Sequence, residues 1–249
     1  MRKVHFYLNY PDAKNIIVCG DIHGEFNTLV NKLCVQYRMT DTVLIAAGDC
    51  GFGFQKPGYY ADMLRKNSGR LSKSNNWIVF VRGNHDNPAY FDGKTYAYKR
   101  MIAVPDYTVI QACGKSILCV GGGISIDRHF RILKWNDFYW ENEPPVFDDV
   151  MLETVGKKYS IDTVISHTAP SFCELKSKGM LEKFAEYDPT LLEDVQKERS
   201  TMDKIFNRLI NDGHPLDNWL YGHFHQSKNE VIDGVHFRML DIMELFQVV

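Results

Sequence analysis

Five short blocks hold most of the chain's capacity for chemistry: GDIHG at Gly20 to Gly24, GDCG at Gly48 to Gly51, GNHD at Gly83 to Asp86, SHTAP at Ser166 to Pro170, and GHFH at Gly222 to His225. Five of the nine histidines fall in them, beside aspartate and asparagine. Carboxylate oxygen, imidazole nitrogen and amide oxygen form the donor set of a hard-to-borderline divalent cation. Asp21, His23, Asp49, Asn84, His167, His223 and His225 make seven candidate ligands. That is too many for one tetrahedral ion and about right for two ions sharing a carboxylate. His223 and His225 stand two residues apart, as do Asp21 and His23, a spacing that turns both side chains of an extended segment to one side. A Gly-Asp after a strand is by itself a common turn, so the joint pattern carries the reading, with the glycines admitting close backbone approach.

These side chains can meet only if the blocks end elements that run together. NIIVCG, TVLIAAG, NWIVFVRG, SILCVGGG, DTVISH and NWLYGH are apolar, mostly β-branched runs that close on glycine or histidine, and such runs read as buried strands. Phe26, Leu29, Val30 and Leu33 repeat with helical spacing between the first two runs, which predicts strand-helix-strand units with a parallel core in the N-terminal third. Loops at the carboxyl ends of such strands converge on one crevice. Further on, Thr190 and Glu193 are spaced as a capping box, and Leu191 through Ile210 carry a helical period of about five turns ending at Gly213. The Asp233-Gly234 pair predicts a hairpin turn. With no repeat or linker in view, residues 1–249 read as one domain, in which the 171–215 helical segment is either a cap over the site or a packing element.

In this order, from Asp21 to His225, the blocks resemble the calcineurin-like metallophosphoesterase superfamily, in particular its short, single-domain bacterial and phage-type members. The resemblance implies an α/β (α+β) fold: a four-layer αββα sandwich of two mixed β-sheets flanked by helices, with a metal site at the carboxyl ends of the strands. It implies hydrolysis of phosphate esters. Carried over by matching position, Asp21, His23 and His225 would hold one metal ion, Asn84, His167 and His223 the other, and Asp49 would bridge them. Two divalent ions, manganese first with iron or zinc also suited to the donors, would clamp the phosphoryl oxygens and acidify a water for in-line attack. His85 resembles the family's acid and would protonate the leaving group.

Asp86 reads as a support. Arg82, and Arg128 and Arg131 in GGGISIDRHFR, join Asn84 as candidate substrate-binding residues, because guanidinium matches phosphate oxygens in pairs. Trp135 and Trp140, in the aromatic stretch that follows, could stack on a ring of the substrate. The pattern departs from the protein serine/threonine phosphatase branch, which carries aspartate and arginine where this chain has Phe52 and Gly53.

Composition narrows the substrate. A net charge of -2 and the lack of a basic tail provide no strong nucleic-acid signal, which favours a small phosphorylated substrate, a phosphomonoester or small nucleotide. A phosphodiesterase or nuclease with the same centre is the nearest alternative, and a catalytically silent binding scaffold the next. No run of about eighteen apolar residues suggests a membrane span, and the first twenty residues lack a signal-peptide core. Six cysteines without a CxxC pair suit inert thiols in a reducing compartment, hence a cytoplasmic protein.

Overall fold

The computed structural model describes residues 6–56, 58–134, 138–173 and 179–249. All six apolar runs are strands, and they divide between two sheets. In one, β2 (Asn15–Cys19), β3 (Thr42–Ala46), β4 (Trp77–Phe80) and β5 (Met101–Ala103) run parallel, with β12 (Leu245–Gln247) antiparallel to β2 at the edge. The other has the order β1 (Tyr7–Tyr10), β6 (Thr108–Ala112), β7 (Lys115–Val120), β8 (Thr163–Ser166), β9 (Asn218–Tyr221), β11 (Val235–Met239), β10 (Lys228–Ile232). It is mixed, with β6 and β7 antiparallel, as are β10 and β11.

The pleat sorts the apolar side chains into three layers. On β2, Ile17 and Cys19 face α1 (Phe26–Asn31) and α2 (Tyr59–Lys73), while Ile16 and Val18 face between the sheets with Ile45, Ile165 and Leu220. On β9, Trp219 and Tyr221 pack with α4 (Asp149–Gly156) and α6 (Leu191–Asn211), and Leu220 turns inward. Two mixed sheets flanked by helices follow directly, the four-layer arrangement expected.

Ile232 pairs with Val235 across Asp233 (φ 51°) and Gly234 (φ 80°), the two left-handed residues of a type I′ turn. The capping box does not form. Thr190 precedes α6 but makes no side-chain cap bond, because its hydroxyl accepts from the Arg128 guanidinium at 2.8 Å. Arg128, on α3 (Arg128–Lys134), also bonds Asp188 at 2.5 Å and Asp194 at 2.8 Å, so a tertiary clamp holds the start of α6. That helix packs on the outer face of the seven-stranded sheet. The shorter α5 (Gly179–Ala185) buries no residue and meets α3 through Phe130 and Phe184, ring centres 5.9 Å apart. Among the described residues no helix is long and apolar enough to cross a membrane.

The clamp has a pH signature. Hydrogen bonds from Arg128 hold the Asp188 and Asp194 carboxyls below their ordinary 3.8. A depressed folded-state pKa stabilises the fold above the ordinary value and loses that contribution as pH falls through the depressed one. Arg128→Gln is expected to cost about 1 kcal/mol near neutrality. In urea unfolding, the gap between parent and variant should close below pH 3.8; a gap of constant size would mean the clamp carries no charge term.

Candidate metal centre

Asp21, Asp49 and Asn84 follow β2, β3 and β4 of one sheet, while His167, His223 and His225 follow β8 and β9 of the other. The carboxyl ends of both sheets therefore open on one place, and all seven candidate ligands gather there. Asp21 Oδ2 lies 3.0 Å from His225 Nε2 and 3.8 Å from His23 Nε2, and those two nitrogens are 3.1 Å apart. One ligand atom from each of Asp21, His23, Asp49 and His225 fits within 4.8 Å of the others. Beside them, His167 Nε2 lies 2.8 Å from Asn84 Oδ1 and 3.2 Å from Asp49 Oδ1, with the His223 ring centred 4.8 Å from that of His167. Asp49 belongs to both groups.

The extended spacing anticipated for His223 and His225 is absent. Their φ values are 70° and 49°, and His23 (42°) and Asp49 (45°) share the left-handed region. Each side chain is aimed by a tight turn, and such conformations persist only where surrounding structure holds them.

That holding structure consists largely of buried carboxylates. Asp86 accepts from the backbone N–H of Cys50, Gly51, Phe52 and Gly83 at 2.7 to 2.9 Å. Burial and the Asp49 charge push Asp86 up to about 7 against the Gly83, Cys50 and Phe52 donors. Gly83 belongs to the same packing: a Cβ there would stand 2.1 Å from Asp49 N and 2.2 Å from its Oδ1. Glu143 accepts from Ser125 N and Oγ, both at 2.7 Å, and Ser125 Oγ in turn accepts from Asn84 Nδ2 at 3.0 Å. This turns Asn84 Oδ1 toward His167. From α6, Glu198 accepts from Thr168 Oγ1 at 2.6 Å and from Ile124 N, while Arg199 donates to Pro170 O at 2.7 Å.

Sequence reading missed Ser125, Glu143 and Glu198. Glu198 did leave a signal, since it stands one helical turn before Met202 on the inward face of α6, where a carboxylate must have a buried partner.

His167 Nδ1 donates to Ala47 O at 2.8 Å, and its Nε2 faces Asn84 Oδ1 and Asp49 Oδ1. Asp21 Oδ2 is buried beside His225 Nε2 at 3.0 Å. Burial alone would raise Asp49, but His167 and His85 hold it well below the carboxylate range. Burial would lower His167, yet Asp49 and Asp21 push it up to about 10. Burial and the His167 charge drive His223 well below its usual value. The protein's own groups thus crowd electron pairs together and gather a proton to balance them. Oxygen and nitrogen donors in this arrangement fit divalent cations.

His85 lies at the rim, its N–H donating to Asp49 Oδ1 at 2.8 Å and its Nδ1 3.9 Å from Asp49 Oδ2. Burial lowers its pKa, Asp49 opposes the fall and Arg131 adds to it. Arg131, aligned by Asp127 at 2.8 Å, donates to His85 Nε2 at 2.6 Å, so the ring proton sits on Nδ1. The other two arginines are engaged away from the ligands. Arg82 is buried and donates to Glu143 O at 2.7 Å while pairing with Asp106 at 3.0 Å, as a buried guanidinium must. Arg128 is spent on the α6 clamp. Trp140 packs against Phe54, and Trp135 lies outside the described residues.

The family model for calcineurin-like phosphoesterase matches residues 14–227. The chain is 28% identical over 171 residues to the serine/threonine-protein phosphatase 6 catalytic subunit of Drosophila melanogaster, covering 54% of this chain and 55% of that one. It is 29% identical over 134 residues to the serine/threonine-protein phosphatase ppe1 of Schizosaccharomyces pombe, covering 46% and 41%. The chain thus spans about half or less of the length of these curated relatives. A solved dimetal phosphatase from Danio rerio superposes with a TM-score of 0.47 at 12% identity, covering 94% of this chain and 88% of that one. Because the matched span begins before the first ligand block and ends beyond the last, the chain belongs to the calcineurin-like phosphoesterase family, metal-dependent hydrolases of phosphoric esters.

Proposed function

We propose that this chain is a two-metal phosphomonoesterase acting on a small phosphorylated substrate, with manganese as the working ion and iron or zinc also suited to the donors. The observation that supports this most is the position of Asp49, whose carboxylate borders both ligand groups. Asp21, His23 and His225 would hold one ion and Asn84, His167 and His223 the other. Bound ions supply Lewis acidity toward phosphoryl oxygens and lower the pKa of water.

The remaining work falls to the chain itself. Asn84 and Arg131 hold phosphate oxygens, the second by bidentate donation. Arg131 now spends a donor on His85 Nε2; an arriving phosphate draws that donor away and, by its negative charge, raises the His85 pKa. His85 then carries the proton that the leaving oxygen needs.

Two features favour a small monoester over a phosphoprotein, although the curated relatives are serine/threonine phosphatases. Phe52 is buried among Phe26, Phe80, Tyr60 and Tyr96. Gly53, at φ 101°, leaves no room for a side chain, since a Cβ would stand 2.6 Å from Asn87 Cβ. The aspartate and arginine of that branch have no counterparts here, and the guanidinium beside the centre comes from α3 instead. The net charge of -2 gives a nucleic acid no general attraction.

With manganese added, turnover of p-nitrophenyl phosphate should exceed that of bis(p-nitrophenyl) phosphate, and the reverse order would assign a phosphodiesterase. His85→Asn is expected to lower kcat on an alkyl phosphate by about 10²- to 10⁴-fold. The loss should be far smaller on p-nitrophenyl phosphate, whose leaving group needs no proton. Equal losses would make His85 a binding group. Ser125→Ala frees the Asn84 amide and should weaken manganese binding in calorimetry by about 10- to 100-fold; unchanged affinity would show that Ser125 does not orient Asn84.

A further inference from the structure

Three half-buried aromatic residues, Phe54, Phe138 and Trp140, form one ring group, of which Phe54 borders His85. Phe54 and Phe138 are stacked 4° from parallel with centres 5.0 Å apart, and Trp140 meets Phe54 edge-on at 5.6 Å. None of the three belongs to the hydrophobic clusters of the two sheets. They form a separate aromatic group beside the charged centre. The Phe54 ring is centred 6.3 Å from that of His85, and Arg131 bridges the same side, with Nη2 on His85 Nε2 and Nη1 3.5 Å from Phe138 O. Trp140 lies close on the Gly53 turn that precedes Phe54, where an added Cβ would stand 2.9 Å from Trp140 Cζ2.

We propose that Phe54 and Phe138 are specificity-determining residues, an aromatic wall that receives a planar ring carried by the leaving group of the phosphomonoester. This rests on the phosphoesterase reading, and within it on the placement of His85. His85 Nε2, the nitrogen that Arg131 covers until phosphate draws it away, faces that side, so a leaving group that takes its proton from Nε2 passes beside Phe54. A planar ring there gains a stacking contact that an alkyl chain cannot make. The ring could be attached directly, as in an arylmethyl phosphate, or lie one sugar away, as in a nucleotide.

The test compares pairs of substrates with similar alkoxide leaving groups, using the full manganese-loaded chain. Benzyl phosphate against ethyl phosphate, and adenosine 5′-monophosphate against ribose 5-phosphate, differ within each pair chiefly by the ring. The wall predicts a preference of about tenfold or more in kcat/KM for the ring-bearing member of one pair, and the pair that shows it identifies the source of the ring. Phe54→Leu, which keeps apolar bulk but removes the flat face, should reduce that ratio mainly through KM. Phe138→Ala should act in the same direction. Equal efficiencies within both pairs, or a Phe54→Leu variant that lowers both members alike, overturn the wall and leave the phosphoesterase reading standing. Should no ester be hydrolysed, that reading fails and calorimetry decides the wall. Benzylphosphonate binding more tightly than ethylphosphonate to the parent, but not to Phe54→Leu, supports it; equal affinities overturn it.

Discussion

A carboxylate from one sheet and an imidazole from the other meet out of water, Asp49 Oδ1 lying 3.2 Å from His167 Nε2 with both side chains almost fully buried. Removing two charges from solvent costs several kcal/mol each unless they are matched closely. The pair is therefore tenable only if the two sheets are locked in register with their carboxyl ends on the same side. The layer between them does this, with Ile16, Val18, Ile45, Val79, Ile165 and Leu220 interdigitated and shielded from water. The apolar core and the polar centre are thus two consequences of one packing arrangement.

Around that pair, buried carboxylates are answered mainly by backbone N–H and hydroxyl groups rather than by cationic side chains. Asp86 gathers the loops after β3 and β4, Glu143 fixes Ser125 and through it Asn84, and Glu198 ties α6 to the loops after β7 and β8. Positive charge from the protein is mostly held elsewhere, Arg82 on Asp106 and Arg128 on Asp188 and Asp194. The centre itself is left short of cations, and that imbalance suits it to metal ions.

The rim has a different physical character. Phe52 drops into an aromatic cluster under the five-stranded sheet, and Gly53 then takes a left-handed turn that brings Phe54 up beside His85. The same short segment that departs from the protein phosphatase pattern therefore builds the apolar border of the site. The candidate ligands and the aromatic border come from different parts of the chain: strand ends at the centre, and the loops around Phe54 and Phe138 at its edge.

Much of this was legible in the sequence because it is written in local terms. Four to six apolar residues ending in glycine and a ligand mark a buried strand and the place where its loop begins, so the six core strands and the seven candidate ligands could be read directly. Asp233-Gly234 announced its turn for the same reason, since φ above zero is a property of residue type. The short strands β1, β5, β6 and β12 lacked such a signature, being defined by the neighbours they pair with. Tertiary structure alone decided that Thr190 would serve Arg128 instead of capping α6, that Arg82 would brace a loop while Arg131 reached His85, and that His223 and His225 would be aimed by left-handed turns. Each of these depends on which partner arrives from a distant part of the chain. A guanidinium or hydroxyl satisfies whatever acceptor or donor the packing brings within about 3 Å, and spacing along the sequence carries no record of that.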